Sequence, residues 1–218
     1  MGRDFDFHSL KIAVVACSGM GKSTLQRNLW HALPAQDKYT FDHKGQFEAL
    51  LPCYGARTVR EMEAALTQTN SVCWNPFALY GSQREEAFDE FCRWVLKKIQ
   101  ARGRTALVTF DECGDLVPEN SKLYFAHGVR EFANCGREWR THLLTSAQAP
   151  TDVPLKLRNQ ITQWYVGRLG DAGCLEPLLK HGFKWEMVAR LNKGQFVHYN
   201  KDTGAFRRVD SVPEGKSV

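Results

Sequence analysis

The sequence predicts an α/β protein whose mostly parallel central sheet is flanked by helices. Short apolar runs alternate along the chain with longer amphipathic segments, which is the pattern that parallel strands and their crossover helices produce. Residues 10–16 (LKIAVVA) and 105–110 (TALVTF) are apolar runs typical of strands buried on both faces. Near the C-terminus, residues 194–209 alternate in a way that predicts a hairpin turning at residues 202–204.

The first part of the chain predicts strand, helix and strand in succession. The strand at residues 10–16 breaks at a glycine-containing loop, and the helix over residues 22–33 must stop at Pro34, which cannot continue it. A strand at residues 39–42 then ends in the turn Asp42-His43-Lys44-Gly45.

The next elements are a helix, a short strand and the clearest helix of the sequence. Helical spacing covers residues 58–68, and residues 71–74 form a short strand closed by an Asn-Pro pair. In residues 83–102 the apolar side chains recur every three or four positions, which predicts a helix with one buried face.

After the strand at residues 105–110, the prediction continues with a helix, two strands, a mostly helical stretch, the hairpin and a frayed tail. These elements cover residues 122–134, 141–146, 161–166, 175–191, 194–209 and 213–218. The length of 218 residues suits one domain, residues 1–218. We expect its core at about residues 8–170 and a helix–hairpin extension at about residues 171–212.

Composition restricts the location of the protein more than its function. The seven cysteines are scattered without a C-x-x-C pair, which argues against a disulfide framework or a zinc ribbon and suits a reducing cytoplasm. The charged N-terminal residues do not resemble a signal peptide, and no apolar run approaches the roughly 20 residues of a membrane helix. The formal charge of +5 permits contact with nucleic acid without requiring it.

The segment from Ala16 to Ser23 matches the phosphate-binding loop, with Ala16 in place of its first glycine. Small residues let consecutive backbone N–H groups surround phosphate oxygens, and the following helix N-terminus favours the anion. Lys22 would reach the β- and γ-phosphates of ATP, while Ser23 would coordinate Mg²⁺. The predicted nucleotide-binding residues are Ala16, Cys17, Ser18, Gly19, Met20, Gly21, Lys22, Ser23 and Thr24.

Two carboxylates follow the second buried strand directly. Asp111, at the strand end, is a candidate to support Mg²⁺, and Glu112 is a candidate general base that polarises the attacking water. A kinase does not need a water-activating glutamate here, because its acceptor is not water. The Asp-Glu pair therefore points to ATP hydrolysis.

Gln148 closes the strand predicted at residues 141–146. In sheets of this type, the strand that carries such a polar residue lies between the phosphate-loop strand and the Asp-Glu strand. We therefore expect Gln148 to face the γ-phosphate and to sense its hydrolysis.

The order of FDHKGQF (residues 41–47), the phosphate loop, VTFDE (residues 108–112) and LLTSAQAPTDVPLKLRNQ (residues 143–160) resembles the HerA–FtsK superfamily of DNA-pumping ATPases. Within it, the chain is most similar to the genome-packaging ATPases of tailless icosahedral viruses with an internal membrane. The resemblance covers about residues 10–168 and implies a RecA/ASCE-like P-loop NTPase fold.

The resemblance also implies an ATP-driven translocase that packages double-stranded DNA into a preformed capsid. Such proteins act as homo-oligomeric rings, with six subunits expected, and meet packaging proteins of the capsid vertex or membrane. The expected location is the host cytoplasm or the packaging vertex of the virion. ATP would lie between subunits, with an arginine of one subunit touching the γ-phosphate bound to the next. Arg137 and Arg140 are the main candidates, with Arg130 and Arg168 behind them.

Three other functions fit parts of the pattern. The chain could be a related ATPase for phage extrusion or DNA transfer, although such relatives usually carry a membrane segment or an additional domain. A P-loop nucleotide or small-molecule kinase would need an acceptor pocket and an arginine-rich lid, and the sequence has no clear candidate for either. A non-enzymatic nucleotide-binding assembly factor would lack ATPase activity stimulated by DNA.

Overall fold

A nine-stranded sheet organises the computed structural model, which describes residues 8–116 and 138–211. The strand order is β3-β4-β2-β5-β6-β1-β7-β8-β9, parallel from β3 to β7 and antiparallel from β7 to β9. The strands are β1 (Lys11–Val15), β2 (Asp37–Phe41), β3 (Tyr54–Ala56), β4 (Ser71–Trp74), β5 (Ala106–Phe110), β6 (Thr141–Ala147), β7 (Gln163–Val166), β8 (Gln195–Asn200) and β9 (Ala205–Asp210).

Helices cover the two faces of the sheet, and three of them have two turns or more in the described part of the chain. These are α1 (Lys22–Ala32), α3 (Val59–Leu66) and α5 (Arg84–Arg102). The remaining helices are single turns: α2 (Phe47–Leu50), α4 (Phe77–Tyr80), α6 (Cys113–Leu116), α7 (Leu155–Arg158), α8 (Glu176–Leu179) and α9 (Trp185–Val188). Two short 3₁₀ turns occur at Pro150–Asp152 and Gly173–Leu175.

The side chains of β1 divide the core into two layers. Ala13 and Val15 pack in the layer that includes α3 and α5, whereas Ile12 and Val14 pack in the layer beneath α1. This division follows from the two-residue period of a strand, which points successive side chains to opposite faces. All four are essentially inaccessible to solvent, as expected for the central strand of a sheet covered on both faces.

The helix α5 confirms the sequence prediction of a long helix with one buried face. Its buried side chains include Phe88, Phe91, Val95 and Ile99, which form one face at helical spacing. Gly103 ends the helix at φ 60° and donates its backbone N–H to the carbonyl of Ile99. A glycine suits this left-handed position because it has no Cβ to clash.

The predicted strands and the C-terminal hairpin are confirmed, with ends shifted by at most a few residues. The structure also places β6 between β5 and β1, as the sequence predicts. The short edge strand β3 and the turns α2 and α4 were not predicted. The predicted stretch 175–191 is divided into separate turns, partly because Gly182 adopts φ 88° between α8 and α9. The predictions for residues 122–134 and 213–218 lie outside the described residues.

The hairpin extends the same sheet as the core strands. β8 pairs with β7, and the loop before β8 reaches the phosphate-loop segment, where the Gly194 N–H donates to the carbonyl of Met20 at 3.0 Å. Ser211 in turn donates its N–H to the Gly194 carbonyl at 2.7 Å. The end of the hairpin therefore supports the backbone just before α1.

Each of the six cysteines in the described ranges is free of a disulfide. None of the helices in residues 8–116 and 138–211 has the length and apolar character needed to span a membrane.

Residues at the ends of β1 and β7 and at the start of β8 pack closely together. A Cβ added to Gly167 would lie 2.8 Å from the Ala16 Cβ and 3.0 Å from a ring carbon of Phe196. Ala16 is fully buried. The alanine at the first loop position is therefore accommodated by a glycine directly after the neighbouring strand β7.

We predict that Gly167→Ala lowers the free energy of unfolding by about 1–3 kcal/mol, the usual cost of overpacking a closed junction. Gly170→Ala is the matched control, because its added Cβ would be 3.9 Å from the Cys17 sulfur, which is an ordinary contact. The control should stay within about 0.5 kcal/mol of the wild type. Urea titration of both variants measures the difference, and equal stabilities would contradict the packing described.

Candidate nucleotide-binding site

The carboxyl ends of three neighbouring strands meet at one edge of the sheet. Because β6 pairs in parallel with β1 and with β5, the residues that follow these strands lie side by side. They are Ala16 after β1, Asp111 after β5 and Gln148 after β6. The Ala16 N–H donates to the carbonyl of Ala147 at 3.3 Å, which continues the pairing to the last residue of β6. Ligands of open α/β sheets bind at this kind of edge.

The predicted phosphate loop joins the end of β1 to the start of α1. Gly19 and Gly21 adopt φ 75° and φ 92°, which are left-handed conformations that glycine accepts readily. Gly21 is the N-cap of α1, so the helix begins with Lys22. On the other side of the loop, the Cys17 N–H donates to the carbonyl of Arg168 at 2.9 Å. Ser18 and Gly19 are exposed, so the loop tip is open to a ligand.

The ammonium group of Lys22 lies within the loop. Its Nζ donates to the carbonyl oxygens of Ala16 at 2.8 Å and Cys17 at 3.3 Å. The same Nζ is 3.9 Å from the Glu112 Oε1, and the Lys22 side chain is 9% exposed. The structure therefore brings together the predicted phosphate-binding lysine and the predicted general base.

A serine of β6 fixes the two carboxylate residues. The Ser146 hydroxyl donates to the Asp111 Oδ1 and accepts the backbone N–H of Glu112 at 3.3 Å. Glu112 adopts φ 45°, a conformation uncommon for a residue with a side chain. Asp111 is 7% exposed, and such a buried carboxylate needs hydrogen-bond partners. Sequence reasoning missed Ser146, although it faces the Asp-Glu pair from the adjacent strand.

Glu112 has two lysines as charge partners. Its Oε1 is 3.4 Å from the Lys44 Nζ and 3.9 Å from the Lys22 Nζ, and its side chain is 12% exposed. Burial and the neighbouring Asp111 raise the pKa of the Glu112 carboxyl, while Lys22 and Lys44 act in the opposite direction. A general base works best when its pKa is closer to neutral than that of a solvated carboxylate. The environment of Glu112 therefore suits proton abstraction.

The predicted Mg²⁺ ligands, a carboxylate and a hydroxyl, suit a Mg²⁺ ion that is also coordinated by the phosphates of a nucleotide. Mg²⁺ usually keeps several waters and binds one or two carboxylates together with substrate phosphates. In the described part of the chain, no group of three or more His, Cys, Asp or Glu side chains is arranged to hold a metal by itself. The donors at the sheet edge are the Asp111 carboxylate and the hydroxyl of Ser23, in the first turn of α1. Such a sparse set matches an ion that arrives with a nucleotide.

The remaining predicted site residues occupy different places. Gln148 is exposed directly after β6, at the edge shared with the phosphate loop, and Thr24 is half-buried in the first turn of α1. Arg140 precedes β6, so it lies at the opposite edge of the sheet, roughly 20 Å away along a strand of this length. It is therefore too far to contact a nucleotide bound by its own chain. Arg137 and Arg130 lie outside the described residues.

Solved structures with this fold include several NTPases. The genome packaging NTPase B204 from Sulfolobus turreted icosahedral virus 2, in complex with AMPPCP, is 15% identical with a TM-score of 0.71, over 97% of this chain and 100% of that one. This chain therefore has the same overall fold as the B204 NTPase. The pCW3 conjugation coupling protein TcpA is 16% identical with a TM-score of 0.56, over 93% of this chain and 60% of that one.

EssC (ATPases 2 and 3) from Geobacillus thermodenitrificans is 14% identical with a TM-score of 0.56, over 98% of this chain and 41% of that one. No protein-family model matches the chain, and neither does any curated protein. The α/β fold predicted from the sequence, a mostly parallel sheet flanked by helices, is thus confirmed and is similar to the fold of these NTPases.

His43, in the turn after β2, is a buried histidine beside the candidate site. It is 8% exposed and stacks on Phe41, and neither of its ring nitrogens has a hydrogen-bond partner among the described residues. Burial, with the nearby Lys44 charge, lowers the pKa of His43 to about 4. The folded state therefore holds this imidazole neutral at pH values where the unfolded chain, with a pKa of about 6.5, binds a proton.

We predict that protonation of His43 makes stability fall as the pH drops from about 6.5 towards 4. Its contribution is fully present above the unfolded pKa, and a pKa of about 4 corresponds to a loss of about 2 kcal/mol between pH 8 and pH 5. His43→Phe retains an aromatic ring against Phe41 and should reduce the pH-dependent loss by about that amount.

Urea titrations of the wild type and His43→Phe at both pH values measure this difference. The comparison at pH 8 is the internal control, because the imidazole is then neutral in both states and only packing differs. An identical loss in the two proteins between pH 8 and pH 5 would contradict the assignment.

Proposed function

We propose that this protein is an ATPase that translocates double-stranded DNA and packages a viral genome into a preformed capsid. The observation that carries the proposal is the distance of 3.9 Å between the Lys22 Nζ and the Glu112 Oε1. One group belongs to a loop suited to phosphates, and the other is a carboxylate suited to activating water. Their proximity favours hydrolysis of the nucleotide that the loop binds.

In the proposed complex, the loop holds the triphosphate of ATP. Backbone N–H groups between Ala16 and Ser23 donate to phosphate oxygens, and the N-terminus of α1 adds its partial positive charge. The ammonium of Lys22 exchanges the carbonyls of Ala16 and Cys17 for the β- and γ-phosphates. Bound with the nucleotide and supported by Ser23 and Asp111, Mg²⁺ would neutralise charge on the phosphate oxygens.

Glu112 then supplies the base for hydrolysis. Its carboxylate accepts a proton from water as the water oxygen bonds to the γ-phosphorus, and the bond to the β–γ bridging oxygen breaks to leave ADP and phosphate. Burial and Asp111 raise the pKa of Glu112, which increases its basicity. Gln148, at the end of β6, would donate to the γ-phosphate and register its departure.

The DNA-packaging role rests on the extent of the structural likeness. B204 matches along 97% of this chain and 100% of its own, whereas TcpA and EssC match along 60% and 41% of theirs. The chain is thus similar in extent to a protein described as a genome packaging NTPase. We propose that it forms a ring, with six subunits expected, around double-stranded DNA and meets packaging proteins at a capsid vertex or membrane.

A ring would also account for the position of Arg140. Because it lies at the edge of the sheet opposite the loop, it serves a nucleotide only if that nucleotide is bound by a neighbouring subunit. Arg137, three residues earlier in the sequence, remains a second candidate for this contact. An arginine supplied in trans stabilises charge in the transition state of phosphoryl transfer.

A second candidate function is DNA transfer, favoured by the likeness to the conjugation coupling protein TcpA. A DNA-transfer ATPase would share the ATPase site and the duplex substrate with a packaging ATPase. The two would differ in the proteins that they bind. Capture of capsid or membrane packaging proteins, as opposed to those of a transfer apparatus, distinguishes the two. A kinase is disfavoured by Glu112, which such a reaction does not need.

We predict that the wild-type protein hydrolyses ATP and that double-stranded DNA of arbitrary sequence stimulates the rate. Glu112→Gln should keep ATP binding but lower turnover by about 10²–10⁴, the usual contribution of a general base. Glu86→Gln makes the same chemical change at an exposed position of α5 and is the matched control.

Phosphate release and binding of a fluorescent ATP analogue measure the two effects separately. Stimulation should weaken as salt rises, because phosphate contacts release counterions. Wild-type turnover in the Glu112→Gln variant would contradict the role of Glu112. Hydrolysis that no duplex stimulates would contradict the translocase assignment while leaving the ATPase intact.

A further inference from the structure

The turn after β2 lies next to the Asp-Glu pair. β2 pairs in parallel with β5, and Phe41 is in register with Phe110, so the residues that follow each strand emerge side by side. The turn is the segment Asp42-His43-Lys44-Gly45. The proposed function assigns no role to this segment, although it reaches the same edge as the phosphate loop.

Asp42 gives the turn a fixed shape. Its carboxylate is 2% exposed and accepts the backbone N–H of Gln46 at 2.9 Å and of Glu48 at 3.0 Å. Its carbonyl accepts the N–H of Gly45 at 3.2 Å, and Gly45 adopts φ 68°, a conformation that favours glycine. A Cβ at Gly45 would also be 3.0 Å from the Asn75 side chain. The turn is therefore held by a buried acceptor and not by solvent-exposed contacts.

This turn directs Lys44 towards Glu112. The Lys44 Nζ is 3.4 Å from the Glu112 Oε1, and the Lys44 side chain is 33% exposed against 12% for Glu112. The same oxygen is 3.9 Å from the Lys22 Nζ, which also bonds to two loop carbonyls. One carboxylate oxygen is thus held between a lysine of the phosphate loop and a lysine of the β2 turn.

The two lysines differ in what a triphosphate would do to them. Lys22 belongs to the loop that would bind phosphates, and three or four anionic oxygens would draw its ammonium away from Glu112. Lys44 belongs to a separate turn whose shape depends on Asp42. It can keep its contact with Glu112 while Lys22 changes partners.

We propose that Lys44 is a positioning residue that holds the Glu112 carboxylate in place for attack by water while Lys22 binds the phosphates. The inference rests on the proposed function, because it assigns Lys44 a task in that hydrolysis. Lys44 acts through Glu112 and does not itself contact the nucleotide. Its loss should therefore slow the chemical step and leave ATP binding unchanged.

The test measures steady-state ATP hydrolysis by Lys44→Ala and Lys44→Arg. Lys44→Ala should lower kcat by about tenfold to a hundredfold, the scale of a misplaced catalytic group, with KM and analogue binding within about twofold of wild type. Lys44→Arg keeps a cation of similar reach and should recover most of the rate. Lys97→Ala, at an exposed position of α5, is the matched control and should behave as wild type.

A double-mutant cycle separates positioning from a general effect on the fold. In the Glu112→Gln background, Lys44→Ala should cause no further loss of the residual rate in single turnover, because the carboxylate it positions is already absent. Urea titration of the Lys44 variants checks that the fold is retained. Equal losses in the two backgrounds would overturn the proposal, as would a rise in KM at constant kcat or an unchanged rate.

The outcomes distinguish this inference from the proposed function. A wild-type protein that hydrolyses no ATP under any condition overturns both. Wild-type hydrolysis that depends on Glu112 but not on Lys44 overturns the role of Lys44 alone.

Discussion

The parallel pairing of β6 with β1 on one side and with β5 on the other is the constraint on which the site depends. Residues that are far apart in the sequence become neighbours because all three strands end at the same edge of the sheet. Gln148, after β6, is then one strand spacing of about 4.8 Å from the ends of β1 and of β5, which are two spacings apart. A strand order that placed β5 far from β1 would separate the candidate base from the predicted phosphate loop.

Burial of charge is the second physical requirement of the site. The side chains of Lys22 and Glu112 are 9% and 12% exposed, and Asp111 is 7% exposed. Buried charges are unfavourable without partners, so each of them is compensated by a carbonyl, a hydroxyl or an opposite charge. Ser146 and Lys44 are such partners. The groups that stabilise the folded site are therefore also in contact with the side chains of the proposed chemistry.

The connection between the C-terminal hairpin and the predicted phosphate loop both stabilises the fold and restricts the conformation of the loop. Gly194 donates to the Met20 carbonyl, and Ser211 donates to Gly194, so the end of β9 is tied to the residue before Gly21. The Ala16–Gly167 contact adds a second junction on the other side of the loop. Contacts at Ala16 and at Met20 thus hold the loop near both of its ends. Because the loop is already ordered, binding of a phosphate would cost less conformational entropy.

The sequence predicted the parts of the fold that have strong local signals. The apolar runs of β1 and β5 and the helical spacing of α5 identify those elements directly. The strand β3 was missed because three residues, Tyr54–Ala56, carry no usable period. The helical stretch after β7 was predicted as too continuous, since the turn conformation of Gly182 depends on tertiary packing.

The proximity of the predicted motif residues could also be anticipated from sequence, because the loop and the Asp-Glu pair directly follow their strands. The contacts of Ser146 and Lys44 could not. They join residues 35 and 68 positions apart in the chain, and only the register of the sheet brings them together. Sequence motifs thus predict which groups would carry out the proposed chemistry, and the topology specifies what holds them.

The most direct measurement is a structure of the protein with Mg²⁺ and a slowly hydrolysed ATP analogue. The account predicts that the Lys22 Nζ leaves the carbonyls of Ala16 and Cys17 and lies about 2.8 Å from phosphate oxygens. Glu112 and Gln148 should then face the γ-phosphate from adjacent strand ends. A nucleotide bound elsewhere, or a triphosphate separated from Glu112 by other elements, would contradict it.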